Sequence, residues 1–332
     1  MAGGTVRILA GDVGGTKTSL AIFEVEGSRL EVLVLEKYPS QQYGSFDEIV
    51  RQFVAQQDHA CDWASFGVAG PVRNGKAATT NLPWLVDAQR LSDDAGFRKV
   101  WLMNDLEANA WGISALQEKD FCVLNAGNPD PNGNASIISA GTGLGEAGLF
   151  WNGERHRPFA SEGGHCDFAP SSDLEIDLLR HLKQRYSHVS WERVLSGMGL
   201  VNIYEFLRNY RGSETPAWLA EEMQTGDQAA AISKAAQASR CPVCCEALDL
   251  FVYLYGVEAG NHALKIMATA GVYIGGGIAP KNLERFREAA FLRGFCSKGR
   301  MEQRMRDMPV KVILNERTAL YGPAVFAAAE IE

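Results

Sequence analysis

A chain of 332 residues, 46% hydrophobic and 22% charged, is long enough for about two packed domains. With 40 acidic against 32 basic residues the net charge is −8 and no basic tract appears, which argues against nucleic acid and anionic membrane as partners. No apolar run approaches the roughly 18–20 residues that span a bilayer, and Met1-Ala2-Gly3-Gly4 shows no leader pattern. Seven dispersed cysteines, an odd number, fit reduced thiols and a cytoplasmic location.

In chain order, an apolar strand (Val6, Ile8, Leu9) runs into Gly11-Asp12-Val13-Gly14-Gly15-Thr16-Lys17, and a second β-like run covers 18–26. Strand, glycine turn, strand is neither a dinucleotide fingerprint nor a Walker A loop, both of which need a helix after the glycines. Paired glycines reach backbone angles closed to other residues and let a ligand approach the main chain. Backbone N–H groups in such a turn make an anion nest. Thr16 adds a hydroxyl, and Asp12 places a carboxylate where a metal on a polyphosphate would sit. An ordinary glycine hairpin explains this motif equally well until the rest of the chain is considered.

A third strand is expected over 31–38, and Ser45-Phe46-Asp47-Glu48 is a capping box opening a helix that runs to about residue 57. A buried strand over 64–68 ends in Ala69-Gly70-Pro71, a sharp turn. A helix over 85–96 and a strand over 99–103 follow, the latter delivering Asn104-Asp105 to the start of a helix over 106–116. Asp105 invites two readings. Aspartate is a favoured helix N-cap, and a carboxylate at a strand end also accepts a proton from a hydroxyl attacking phosphorus. Asn104 offers a donor and an acceptor to a hydroxylated ligand.

The pattern then repeats. Strands over 121–124 and 135–140 lead to Gly141-Thr142-Gly143-Leu144-Gly145 and a strand over 146–151. Two occurrences of strand, glycine turn, strand hint at a duplicated half-fold. Glu162 and His165 flank Gly163-Gly164 and suit hydrogen bonding to vicinal hydroxyls better than metal binding, for which no third ligand is suitably spaced. Glu192 falls in a predicted first helical turn, where acidic residues are common for dipole reasons. Residues 172–238 read as mostly helical, with a capping box at Ser172-Asp173-Leu174-Glu175 and a helix start at Thr215-Pro216. The Cys241-Pro-Val-Cys244-Cys245 cluster lacks the second CxxC of a zinc ribbon and leads into an apolar run over 243–269, expected as a central buried helix in which Gly256 and Gly260 admit a close neighbour. A strand over 271–274 ends in Gly275-Gly276-Gly277, a last strand covers 310–313, and a helix covers 317–329. The whole reads as α/β with mixed sheets. Glycines at several strand ends match the place where open α/β sheets bind ligands.

Eight ordered segments then define a resemblance: GDVGGT (11–16), GVAGPV (67–72), TNLPW (80–84), MNDLEANAWG (103–112), SAGTGLGEAGLFW (139–151), SEGGHCDFAP (161–170), ERVLSGMGLVNIY (192–204) and IGGGIAPKN (274–282). Together they resemble the bacterial glucokinases, the hexokinase-like branch of the actin/Hsp70-type ATPase (ribonuclease H-like) fold. The resemblance implies two mixed-sheet domains, 1–113 plus 316–332 and 114–315 with a helical insertion, and a cleft that closes on glucose and MgATP. It implies Asp105 as base on the glucose 6-hydroxyl, with Asn104, Glu162, His165 and Glu192 holding the sugar. It further implies that Gly11, Asp12, Val13, Gly14, Gly15 and Thr16 form one phosphate turn, and Gly141, Thr142 and Gly143 the other. It also implies that Gly275, Gly276 and Gly277 form the adenosine edge. The related ROK sugar kinases carry a cysteine-rich zinc motif after the EGGH-like segment. Here that place reads CDFAPSSDLEIDLL, so no structural zinc is expected and the chain falls in the non-ROK branch. The family implies a homodimer. The rival readings are another hexose kinase of this fold, a sugar-sensing regulator and a chaperone-type ATPase. The acidic balance and the glycine hairpin within a dozen residues of Met1 weigh against the regulator. The hydroxyl-binding set would be unexplained in the chaperone.

Overall fold

The structure, a computed structural model, describes residues 5–27, 29–79 and 82–331. The leader reading at Met1–Gly4 and the Thr80 and Asn81 positions of the TNLPW segment lie outside the described residues. The chain divides into two compact units, Met1–Asp120 with Asn315–Glu332, and Phe121–Leu314. The sequence reading set the corresponding limits at 113/114 and 315/316.

In the first unit, β1 (Val6–Val13), β2 (Lys17–Glu26) and β3 (Arg29–Pro39) form an antiparallel meander. Helix α1 (Phe46–Ala55) starts on Ser45, whose hydroxyl accepts from the Glu48 N–H at 3.3 Å, as the capping box requires. β4 (Trp63–Val68) then pairs parallel with β1. A small sheet of β5 (Val72–Arg73), β6 (Lys76–Ala78) and β7 (Leu85–Asp87) precedes α2 (Ala88–Ala95). The helix expected from residue 85 therefore begins three residues later. Asp87 caps it through the N–H groups of Gln89 and Arg90, and residues 85–87 pair with β6 instead. β8 (Lys99–Asn104) lies parallel to β4 and feeds α3 (Asp105–Gly112), shorter than expected and followed by a 3-10 turn over Ile113–Ala115. The sheet order is β3-β2-β1-β4-β8.

The terminal helix, Thr318–Ile331, returns to this unit and packs Leu320, Ala324 and Ala327 against Ile8, Ala10, Ala21 and Phe23. Its approach to α3 is close. A Cβ on Gly322 would lie 1.7 Å from the Ala108 carbonyl oxygen, and one on Gly112 2.0 Å from that of Thr318.

The second unit repeats the topology. β9 (Phe121–Asn125), β10 (Ala135–Ala140), β11 (Leu144–Trp151) and β12 (His156–Ser161) are followed by the helical segments α4 (Asp173–Leu182), α5 (Gly197–Tyr210), α6 (Ala217–Thr225), α7 (Gln228–Gln237) and α8 (Pro242–Ile266). β13 (Gly271–Gly275), short helices α9 (Ile278–Lys281), α10 (Leu283–Arg287), α11 (Ala289–Cys296) and α12 (Glu302–Asp307), and β14 (Val310–Ile313) complete it. The order is β12-β11-β10-β13-β14-β9, with β10 antiparallel to β11 and parallel to β13, as β1 is to β2 and β4.

β12 was not anticipated; its residues alternate only between half-buried and exposed, a weak pattern for a strand at a sheet edge. Pro216 sits one place earlier than expected, as the residue before α6. α8 is wholly buried through its middle. Its Gly256 and Gly260 admit α11, since a Cβ on Gly256 would lie 2.0 Å from the Phe291 carbonyl oxygen. Cys241 is the N-cap of α8, its sulfur accepting from the Cys244 N–H at 3.4 Å, and all seven cysteines are free thiols.

Candidate active site

In the first unit the turn between β1 and β2 is tied down by Ser40. The Ser40 hydroxyl donates to the Gly14 carbonyl at 2.7 Å, and its N–H to the Thr16 carbonyl at 3.1 Å. With its carbonyls fixed, the turn keeps one shape. Gly14 and Gly15 do not use the left-handed angles expected of them. Glycine is needed at 14 for space instead, because a Cβ there would sit 2.9 Å from the Lys17 carbonyl oxygen.

Asp12 opposes Gly67 across β1 and β4, and Gly67 opposes Met103 across β4 and β8. The missing side chain of Gly67 is what lets α3 come near. A Cβ there would lie 2.7 Å from that of Ala108 and 3.8 Å from the Asp105 Cα. The first residue of α3 is thereby brought beside Asp12. Burial, then the Asp105 carboxylate, push the Asp12 carboxyl up to about 6, with Lys17 pulling the other way. The capping question at this helix has a definite answer. Asn104 is the N-cap, its Oδ1 accepting from the Leu106 N–H at 2.9 Å while its Nδ2 donates to the Gly70 carbonyl at 3.2 Å. Asp105 occupies the first helical position, where its Oδ1 also meets the Leu106 N–H at 3.0 Å.

In the second unit the glycine turn after β10 closes with the Gly141 N–H donating to the Gly143 carbonyl at 2.9 Å. The Gly197 N–H, at the start of α5, binds the Gly141 carbonyl at 2.9 Å. Glu192 lies in a single 3-10 turn, Trp191–Arg193, rather than in the first turn of a longer helix; α5 starts later, on Ser196. Its Oε2 accepts from the Leu144 N–H at 3.0 Å, and a Cβ on Gly143 would come within 2.5 Å of the same oxygen. Glu192 thus buttresses the turn as well as standing beside it. Thr142 lies at the tip, between the two hydrogen-bonded glycines.

Gly275–Gly277 neighbours that turn directly. Ser139 opposes Gly275 across β10 and β13, and Gly276, at φ +77°, presses against β10 so closely that a Cβ would lie 2.2 Å from the Ala140 carbonyl oxygen. Cβ atoms on Gly141 and Gly277 would meet nothing within 4 Å, so main chain is open at both. Tyr255 of α8, which the sequence reading passed over, pins the end of β10. Its hydroxyl accepts from the Ala140 N–H at 2.9 Å and donates to the Ile138 carbonyl at 3.3 Å. Only its place in a buried helix was readable in advance.

Glu162 and His165 end a 3-10 turn, Gly163–His165, that follows β12. Both side chains are exposed, with His165 Nε2 4.0 Å from Glu162 Oε2. Gly164 seats the turn on β11, for its Cβ would lie 2.1 Å from the Leu144 carbonyl oxygen. The expected residues therefore gather into two groups: Asp12, Asn104 and Asp105 with the turn over 11–16 in the first unit, and Glu162, His165, Glu192, the turn over 141–145 and Gly275–Gly277 in the second. Among the described residues no three His, Cys, Asp or Glu side chains are arranged to hold a metal ion.

The glucokinase family model matches residues 9–330. The chain belongs to the glucokinase family. Among curated relatives, the glucokinase of Nostoc punctiforme is 41% identical over 336 residues, covering 97% of this chain and 98% of that one. Among solved structures, a glucokinase from an Antarctic psychrotroph superposes with a TM-score of 0.88 at 30% identity, covering 97% and 99%. A ROK family glucokinase from Streptomyces griseus, solved with glucose and AMPPNP, superposes at 0.64 with 21% identity over 98% and 100%, and shares the fold. This member of the glucokinase family is an enzyme with the actin-like ATPase fold. Its two β-α-β halves each place a glycine turn at the carboxyl end of the first strand of their sheet pair. No helix among its described residues is long and apolar enough to cross a membrane.

Proposed function

We propose that the protein transfers the γ-phosphoryl group of MgATP to the 6-hydroxyl of D-glucose, giving glucose 6-phosphate at the entry to glycolysis. The observation that carries this reading is Asp105 at the head of α3, held beside Asp12 while Asn104 takes over the capping role. The Asp105 carboxylate accepts the hydroxyl proton as the sugar oxygen attacks the γ-phosphorus and ADP leaves. General-base help of this kind is worth about 10²–10⁴-fold, the rest being positioning and charge stabilisation.

Asn104, Glu162, His165 and Glu192 hold the other hydroxyls. The turns over 11–16 and 141–145 offer N–H groups to the phosphates, and Gly275–Gly277 leaves main chain open for the adenosine. Asp12 is the carboxylate that would meet the Mg²⁺ carried by ATP. The donor set fits, since a cation would offset the burial and the Asp105 charge that raise Asp12. Size, charge and family membership support a cytoplasmic homodimer of 36.2 kDa chains with neither nucleic acid nor membrane as partner, and light scattering on the eluted peak tests the dimer.

The deciding assay couples ADP release to MgATP with glucose, mannose, fructose, N-acetylglucosamine or no sugar. Turnover with glucose well above the others is expected. Comparable turnover on several hexoses would replace glucose by a broad hexose class. ADP release independent of sugar would overturn the proposal.

A further inference from the structure

Beneath the turn that carries Glu162 and His165 lies a buried polar chain unrelated to any role above. Glu146 of β11 and Glu258 and His262 of α8 are each at most 2% exposed. The His262 Nε2 lies 3.0 Å from the Ala147 carbonyl oxygen, which only accepts, so Nε2 carries the ring proton. Burial lowers the pKa of His262 and keeps the ring neutral. Its Nδ1 is then an acceptor, and it faces Glu146 Oε2 at 3.3 Å. Two acceptors at that distance need a proton between them.

On its other side Glu146 feels the charge of the Glu258 carboxyl. The Oε1 atoms of both are buried and meet no donor. Glu258 Oε2 accepts from Asn261 Nδ2 at 2.7 Å, and Asn261 Oδ1 accepts from Lys298 Nζ at 2.8 Å, which also donates to the Val257 carbonyl at 2.9 Å. The His262–Glu146 contact is satisfied only while a proton stays between Oε2 and Nδ1.

The substrate turn rests on this contact. A Cβ on Gly163 would fall 1.9 Å from Glu146 Oε2, so the carboxyl occupies the space that a side chain at 163 would need. Ser161, which opposes Glu146 across β11 and β12, accepts the Gly163 N–H at 3.0 Å. We propose that Glu146, protonated toward His262 Nδ1, is the positioning residue for the Glu162–His165 turn and thereby for the sugar hydroxyls that the turn binds. The proposal rests on the sugar reading of Glu162 and His165.

The charged and titratable groups around Glu146 agree. Burial, then the Glu258 carboxylate, push Glu146 up to about 8, and the exposed Lys265 opposes this weakly. Tyr255 of α8 lies in its field. Lys298, after α11, is the facing cation and is itself influenced by Glu175 of α4. Burial and the Glu258 charge therefore favour the neutral form of Glu146, which loses its proton as pH rises through about 8.

The test measures sugar KM and kcat from pH 7 to 9 for wild type, Glu146→Gln and Glu258→Gln, with amide exchange of the 158–168 segment corrected for intrinsic rates. In wild type, sugar KM is expected to rise about fivefold over this range while kcat changes less than twofold. The Glu146→Gln variant, whose amide donates without titrating, should show a flat KM. The Glu258→Gln variant, freed of the like charge, should shift the break to lower pH. Exchange in the turn should rise with pH in wild type and stay level in Glu146→Gln. Superimposable KM and exchange profiles for wild type and Glu146→Gln would overturn the proposal. If the wild type does not turn over glucose, the sugar reading fails by itself, and the exchange comparison still decides whether Glu146 seats the turn.

Discussion

The two units place the same topological feature, a strand, a tight turn and an antiparallel return, at the carboxyl end of a parallel neighbour. They equip it differently. Counting back from the turn, the first unit has Asp12 where the second has Ser139, each opposite a glycine on the parallel strand, Gly67 and Gly275. In the first unit that glycine admits a helix whose leading residue is a second acid, Asp105. In the second unit the parallel strand runs on into Gly276 and Gly277, and the exposed chemistry is main chain. One framework thus yields an acidic end, suited to protons and cations, and an amide-rich end, suited to phosphate and a flat ring. On the proposed function, the asymmetry comes from two or three side chains rather than from a change of topology.

The contrast is open to attack at both ends. At the acidic end Asp105→Asn keeps size and polarity but cannot accept the proton. It should lower kcat by about 10²–10⁴-fold with sugar KM within about threefold of wild type. A variant with near-normal kcat would remove the acidic end from the chemistry. At the amide end Gly276→Ala places a Cβ 2.2 Å from a carbonyl oxygen at φ +77°, so it should cost more than about 1 kcal/mol, visible as a lower Tm, and raise the KM for ATP. Gly277→Ala, with open space around it, should leave Tm unchanged and act on the KM for ATP alone. Equal Tm losses would mean that both glycines serve packing.

A pH-dependent effect lies beneath the amide end. Glu146 binds its proton more tightly folded than unfolded, so its contribution to stability is complete below its ordinary pKa of 4.5 and is lost as pH rises to about 8. The Tm of wild type should therefore fall relative to Glu146→Gln between pH 5 and pH 8, by a few degrees. A constant difference would place the ionisation outside this window.

Much of this was legible in sequence because the turns are glycines at strand ends and the N-cap bonds of Ser45 and Ser172 form as their spacing dictates. What escaped has identifiable causes. β12 is an edge strand whose outward face needs no apolar residues. Residues 85–87 carry no signal to separate the last turn of a strand from the first of a helix. The need for glycine at 14 comes from a carbonyl three residues on, and the need at 163 from Glu146 on the neighbouring strand, neither of which local pattern encodes. The buried acid chain did leave a trace. Glu258 and His262, four apart, lie in the buried stretch of α8, and ionisable residues there must find partners.

The return of the terminal helix to the first sheet governs how the chain matures. Residues 121–314 form an uninterrupted unit, complete before the terminal helix is made. The β1–β2–β3 meander emerges from the ribosome early, yet the face bearing Ile8, Ala10 and Phe23 has no cover until Leu320 and Ala324 follow. At about 5–20 residues per second the wait from residue 120 to residue 320 is about 10–40 s. During translation the unit that carries Asp105 is thus the last to close, and its apolar face stays open through that interval.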